Sequence, residues 1–217
     1  MAQTKTSLCN LALSMIGDTR NQLTNVDTDN TVISRQCLLH YEQTLHELVR
    51  MHSWNCAKGR ADLTTTDATA PAMGWSKETT LPTDCIRPLF LASDASLSQF
   101  WKPEVDWSIE GRTLYSNHTN NYLIYEAEPV PATMDALFAR AFYTLLASKL
   151  AKPIAGDDQL AINLTNQFES VILPEARRVN GFEGSEPPIV DSEWLDATYG
   201  SSNYAFRPFG ASSYGSL

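Results

Sequence analysis

The chain has 217 residues, 43% hydrophobic and 19% charged, with 25 acidic against 16 basic side chains for a net charge of -9. This composition describes a folded globular protein and excludes a disordered one. The acidic balance argues against sequence-independent nucleic-acid binding, which needs a basic surface against the phosphates, but not against a surface that DNA slides past.

A first helix is expected from residue 6 or 7 to about 16, capped by Thr6 or Ser7. Leu8, Leu11, Ala12 and Met15 form its apolar face, and Gly17 suits the C′ position. Residues 18–30, rich in Asp, Asn and Thr, read as a loop. Asp29 or Asn30 is placed to cap a longer helix over about 31–52. Its Ile33, Cys37, Tyr41, Leu45, Leu48, Val49 and His52 keep the 3.6-residue period, while Arg35, Glu42 and Arg50 lie on a solvent-facing stripe. Trp54 at its end reads as a core residue.

Residues 57–76 read as an irregular connection, after which the period becomes that of strands. Strands are expected over 84–92, 105–110, 112–116 and 122–125, with Glu110-Gly111 turning the second into the third. Residues 78–128 thus predict an antiparallel β insert of three or four strands. Pro88 confines its strand to an edge or a late start. The polar loop at 117–121 is expected to be exposed.

The segment 135–151 is the most continuously apolar in the chain. Leu137, Phe138, Ala141, Phe142, Leu145, Leu146 and Leu150 recur at helical spacing, with Asp135, Arg140 and Lys149 among them. It is too short and too charged for a bilayer span and predicts the buried central helix of a bundle, stopped by Pro153. A fourth helix follows, capped at Gly156-Asp157-Asp158, with Leu160, Leu164, Phe168, Val171 and Ile172 on its apolar face. Pro174 is expected to kink it and Gly181 to end it. The expected fold is therefore α+β, mainly α: about four helices (1–56 and 132–183) with a small β insert between the second and third. Residues 184–217 follow as an extended C-terminal arm. That arm has no amphipathic period, yet it carries Trp194, Tyr199, Tyr204, Phe206, Phe209 and Tyr214. Six aromatics suit a segment that orders against a partner better than a solvating tail.

The sequence offers little chemistry. Cys9, Cys37, Cys56 and Cys85 form no CxxC pair and read as buried reduced thiols. His46-Glu47-Leu48-Val49-Arg50 begins like a zinc-protease helix, but Arg50 stands where a second ligand is needed. No GxSxG or phosphate-binding loop occurs, and no carboxylate stands in an apolar stretch that would raise its pKa. Neither a signal peptide nor a membrane span is read, so synthesis in a cytoplasm is the expectation.

Several stretches in order resemble the head-to-tail adaptor family of short-tailed bacteriophages, the tail tubular protein A type. They are Asn10-Leu11-Ala12-Leu13-Ser14-Met15-Ile16-Gly17, Trp54-Asn55-Cys56-Ala57-Lys58-Gly59-Arg60-Ala61-Asp62-Leu63 and Leu81-Pro82-Thr83-Asp84-Cys85-Ile86-Arg87. Glu110-Gly111-Arg112-Thr113-Leu114-Tyr115, Tyr122-Leu123-Ile124-Tyr125 and Phe138-Ala139-Arg140-Ala141-Phe142 complete the series. Together they span roughly residues 7–180, with Cys56 where the family usually has Phe. The resemblance implies a structural virion protein, not an enzyme, needing no cofactor or metal. It implies a dodecameric ring beneath the portal protein that seats a tail nozzle protein of the tail tubular protein B type. Genomic DNA would pass through the lumen without specific binding, and the location would be the virion's head-tail junction. Trp194, Tyr199, Tyr204, Phe206 and Phe209 are the candidate anchors on the portal or a neighbouring subunit. Arg60 and Arg87, in the family-like motifs, are candidates to pair with a neighbour's acids, or else to form salt bridges within the chain. The alternatives are a non-viral helical protein-binding module and a cell-wall hydrolase using two carboxylates.

Overall fold

A computed structural model describes residues 3–63, 74–92, 106–118 and 121–183. Contacts divide the chain into Met1–Ser185 and Glu186–Leu217, and every described residue lies in the first unit. The fold is α+β: helices enclose one core, and two small antiparallel sheets enclose a second.

Helix α1 spans Lys5–Met15 and α2 Val32–Met51. Both caps differ from the sequence expectation. Thr4, not Thr6 or Ser7, caps α1: its Oγ1 accepts from Ser7 N at 3.1 Å while Ser7 Oγ accepts from Thr4 N at 2.9 Å, a reciprocal capping box. Thr31 caps α2 by accepting from Ser34 N at 3.0 Å. Asp29 turns its carboxylate back onto the loop, accepting from Thr24 N at 2.8 Å and Asn25 N at 3.1 Å. Gly17 does sit beyond the end of α1 with φ of 84°, where a side chain would be strained.

Strands β1 (Lys58–Asp62), β3 (Cys85–Ala92) and β6 (Tyr122–Ala127) form one sheet in the order β1-β6-β3. Strands β2 (Lys77–Thr80), β4 (Trp107–Glu110) and β5 (Thr113–Ser116) form another in the order β2-β5-β4. The β section therefore starts twenty residues before the expected 78, because β1 lies in the stretch read as irregular. Among the described residues it has six strands, five of them from Lys77 to Ala127, where three or four were expected. Pro88 lies on edge strand β3, beside a register shift between Pro88 and Phe90, as a residue without an N–H requires. Glu110 pairs with Thr113, so the β4–β5 hairpin turns on the two residues Gly111-Arg112.

The sheets share a core of Leu81, Cys85, Leu91, Leu114, Leu123 and Tyr125. Gly59 on β1 faces Tyr125, and a Cβ there would lie 2.7 Å from the ring's Cζ, so the backbone itself forms the packing surface. Tyr125 then donates its hydroxyl to the Asp84 carboxylate at 3.2 Å. Asn121 departs from the exposed loop expected at 117–121: it is fully buried, taking a hydrogen bond from Ser116 Oγ at 3.0 Å and giving one to His118 O at 3.0 Å.

Helix α3 (Ala136–Leu150) is the centre of the bundle, as its composition predicts, and packs on α1, α2, α4 (Asp158–Gln167) and α5 (Leu173–Phe182). Asp135 caps it, accepting from Leu137 N at 2.9 Å. Phe138, Phe142, Leu145, Leu146 and Leu150 are buried, whereas Leu137 is only half-buried. Phe142 meets Tyr41 edge-on at 4.9 Å and Phe138 meets Trp54 at 5.1 Å. A π turn, Ala151–Ala155, carries Pro153 past the end of α3.

Asp157 caps α4, accepting from Leu160 N at 2.9 Å. Residues Phe168–Ile172 then widen into a π turn that joins α4 to α5. Pro174 supplies the reason: its ring crowds the carbonyl four residues back, and the wider turn lets Leu173 N–H bond Phe168 O instead. The widening rotates Val171 out of the apolar face assigned to it, leaving it 53% exposed, while Phe168 and Ile172 stay buried. Gly181 lies inside α5, which runs on to Phe182.

The core assignment predicts a contrast. Leu146→Ala, at a site with no exposure, should cost about 2–5 kcal/mol in urea unfolding. Leu39→Ala on the exposed face of α2 should stay within about 0.5 kcal/mol.

Candidate functional site

The last carbonyls of an α-helix have no partner within it. Helix α2 ends without a glycine, and side chains from three other segments close it. Trp54 Nε1 donates to Leu48 O at 2.8 Å, Arg87 Nη1 on β3 to Arg50 O at 3.2 Å, and Arg177 Nη2 on α5 to Met51 O at 2.8 Å. Two guanidinium groups thereby sit at the negative end of the helix dipole. Arg50 answers across the same seam, donating Nη1 to Ile86 O at 3.2 Å.

Asn180 extends the junction. Its Nδ2 donates to Ser53 O at 2.9 Å, its Oδ1 accepts from Asn55 N at 2.9 Å, and its carbonyl accepts from Asn55 Nδ2 at 2.8 Å. The same Nδ2 lies 3.2 Å from His52 Nε2, an arrangement that suits a neutral imidazole accepting at that nitrogen. Burial first, then the cations of Arg177, Arg87 and Lys58, hold the His52 pKa below its ordinary value.

Glu126 is fully buried on central strand β6, opposite Lys58 on β1 and Arg87 on β3. Its Oε1 accepts from Ser53 Oγ at 2.8 Å. Burial pushes its pKa up; the Ser53 hydrogen bond and the Arg87 charge oppose that shift without cancelling it. Closed off from solvent, this carboxylate is a brace in the seam between bundle and sheet, with no access for a substrate.

Two surface clefts flank these elements. One, of about 270 Å³, lies between α2 and the start of β3 and includes His46, Arg50, Asp84, Arg112 and Glu128. Arg50 and Arg112 both donate to backbone carbonyls there, Arg112 to Cys85 O at 3.4 Å and to Pro82 O. His46 faces Glu128 at 4.0 Å across solvent. The other, of about 350 Å³, has Leu23, Val32 and Ile33 beside Arg20 and Asp29. The lining of the first also includes Cys85, which is buried and forms no hydrogen bond with His46 among the described residues. Among the described residues no group of three or more His, Cys, Asp or Glu could hold a metal, and no helix is long and apolar enough to cross a membrane. Cys9, Cys37, Cys56 and Cys85 are free thiols, all but Cys56 buried.

The structure brings both arginines singled out in the sequence to one face of the β1-β6-β3 sheet. Arg87 is half-buried and engaged with its own chain at the end of α2. Arg60 is exposed on β1 and forms no ion pair among the described residues. Trp54 is a core residue with 1% exposure. Trp194, Tyr199, Tyr204, Phe206 and Phe209 lie outside the described residues. Sequence reasoning missed Glu126, Arg177 and Asn180. The strand alternation through β6 puts Glu126 on the face opposite Tyr125, and that was the available signal for it.

No protein-family profile matches the chain, and no curated protein matches it significantly.

The raised pKa of Glu126 gives a signed prediction. The folded chain keeps this proton to higher pH than the unfolded chain, so the group's stabilising contribution is fully present below the ordinary carboxylate range. It is lost as pH climbs through the raised value. Urea unfolding at about pH 4 and about pH 7 should therefore show wild type losing stability relative to Glu126→Gln as pH rises. An unchanged difference would contradict the assignment.

Proposed function

We propose that this chain is a structural virion protein, a head-to-tail adaptor that forms a ring beneath a portal. In this reading it seats a tail nozzle and continues the channel through which the genome passes. The observation that carries the reading is where the family-like motifs meet. Trp54 of the second motif and Phe138 of the last are in edge contact, and Arg87 of the third closes the helix that leads into Trp54. Gly59 of the second faces Tyr125 of the strand motif, which bonds Asp84 of the third. Arg112 of the hairpin motif donates to Cys85 and Pro82 in the third. Residues that follow the family's pattern thus contact one another within the bundle core and within the β section, and Arg87 joins the two.

The physics suits the role. A ring of identical subunits under axial load needs a rigid joint between the part that packs sideways and the part that projects, and the capped end of α2 provides one. A net charge of -9 per chain gives a lumen that repels DNA phosphates where acids face inward, favouring passage over adhesion. An aromatic arm repeated around a ring would add affinity through multivalency.

Purified portal rings should capture the full-length chain as a complete ring, read as mass and stoichiometry by native mass spectrometry. A chain ending at Glu183 should load poorly if the arm supplies anchors. Failure of both to load would sink the adaptor reading.

A further inference from the structure

Helices α1 and α2 meet along one ridge of each. Lys5 Nζ on α1 lies 5.1 Å from the centre of the Tyr41 ring on α2. One turn on from Lys5 and one turn back from Tyr41 stand Cys9 and Cys37, both without exposure and both in the core of the bundle. As one number rises the other falls, so the helices are antiparallel here and a single register sets the two thiols opposite each other. Their side chains hydrogen-bond to one another. The loop between the helices holds that register from outside. Lys5 pairs with Asp27 at 3.1 Å, Val26 N donates to Thr6 Oγ1 at 3.1 Å, and Ser34 Oγ on α2 donates to Val26 O at 2.6 Å. Asn10 brackets Leu23, accepting from its N–H at 2.8 Å and donating to its carbonyl at 2.9 Å.

The other two thiols are placed differently. Cys56 is half-buried in the short turn after α2, and Cys85 lies in the core of the sheets. The side chains that act on them are Asp135 and Glu126 for Cys56, and Arg112 and Asp84 for Cys85, not another thiol. A cysteine that only fills space as a small hydrophobe needs no second cysteine opposite it. Within the pair, the hydrogen bond from one thiol steadies the other as a thiolate, while that same bond and burial hold the donor protonated above its ordinary range.

We propose that Cys9 and Cys37 are an oxidation site, where a small hydroperoxide converts the two thiols into a disulfide that staples α1 to α2. One sulfur of the pair, as thiolate, attacks a peroxide oxygen. The O–O bond breaks, the sulfur becomes a sulfenic acid, and the other oxygen leaves as water with the proton the thiol gave up. The second sulfur then attacks the first, the S–O bond breaks, and the hydroxyl leaves as water with the second thiol's proton. Two thiols are oxidised and one hydrogen peroxide is reduced to two waters. Peroxide reaches the buried pair through local opening of the helix end. The new bond closes the loop 18–30 and the facing turns of both helices into a covalent ring, which narrows the unfolded ensemble. In a reducing compartment the pair stays as thiols; in an oxidising one the staple closes. The staple does not depend on the adaptor role.

The full-length wild-type chain, first reduced, is held in hydrogen peroxide well below its unfolding midpoint, then alkylated in denaturant and digested without reductant. Peptide mass mapping should find Cys9 joined to Cys37, two hydrogens lighter than the separate peptides, with Cys56 and Cys85 in peptides that carry no cross-link. The thermal midpoint should rise by about 5 °C or more and fall back on treatment with dithiothreitol. In Cys37→Ala peroxide should give no such rise, and Cys9→Ala supplies the same control where the first variant does not fold. The peptide map of wild type decides the matter even where neither variant folds. The proposal is overturned if Cys9 and Cys37 remain alkylated or take up oxygen separately, or if either joins Cys56 or Cys85 instead. It is equally overturned if the cross-link forms only in urea-unfolded chain, or if the cross-linked chain unfolds at the same or a lower temperature.

Discussion

The unsatisfied carbonyls at the end of α2 are the constraint on which the rest of the structure depends. A helix that runs into a strand without a glycine cap leaves acceptors that something else must meet, and leaving a buried one unmet costs about 1–3 kcal/mol. Here an indole, a guanidinium from β3 and a guanidinium from α5 meet them. Each donor comes from a different part of the chain, so one local need ties the sheet and the C-terminal helix to the bundle. Glu126 completes the joint from beneath: it lies on β6 between Lys58 and Arg87 and takes the Ser53 hydroxyl hydrogen bond, linking the sheet to the chain that follows α2.

What was legible in the sequence follows from period and size. The central helix was plain because Phe138, Phe142, Leu145 and Leu146 repeat at helical spacing with alanines between them, and the structure buries them all. The β4–β5 hairpin was plain because Glu110-Gly111 stands between two alternating runs. Strand β1 was not, because Lys58-Gly59-Arg60-Ala61-Asp62 has no β-branched or large apolar residue. Its inward positions are small because the Tyr125 ring occupies their space, which only the register reveals. The caps were misplaced for another reason: Thr4, Thr6 and Ser7, or Asp29, Asn30 and Thr31, are chemically equivalent candidates, and loop geometry chooses among them.

The joint itself was half legible. Arg87 stood out within a motif, yet its role within the chain depends on where α2 stops. Arg177 and Asn180 gave no signal in the sequence, since polar residues near a helix end ordinarily face solvent. The motifs of the resemblance to phage adaptors contain Trp54, Arg87 and Tyr125: the first two meet carbonyls at the end of α2 and Tyr125 bonds Asp84 within the β section, whereas Arg60 is exposed and forms no ion pair among the described residues.

Hydrogen exchange of wild type and Arg177→Met tests the central claim, that the end of α2 is a shared joint. The account predicts that amides of α5, of the last turn of α2 and of β3 lose protection together, because removing one donor loosens the cap that all three elements share. Loss of protection confined to α5, with β3 and the end of α2 exchanging as in wild type, would contradict it.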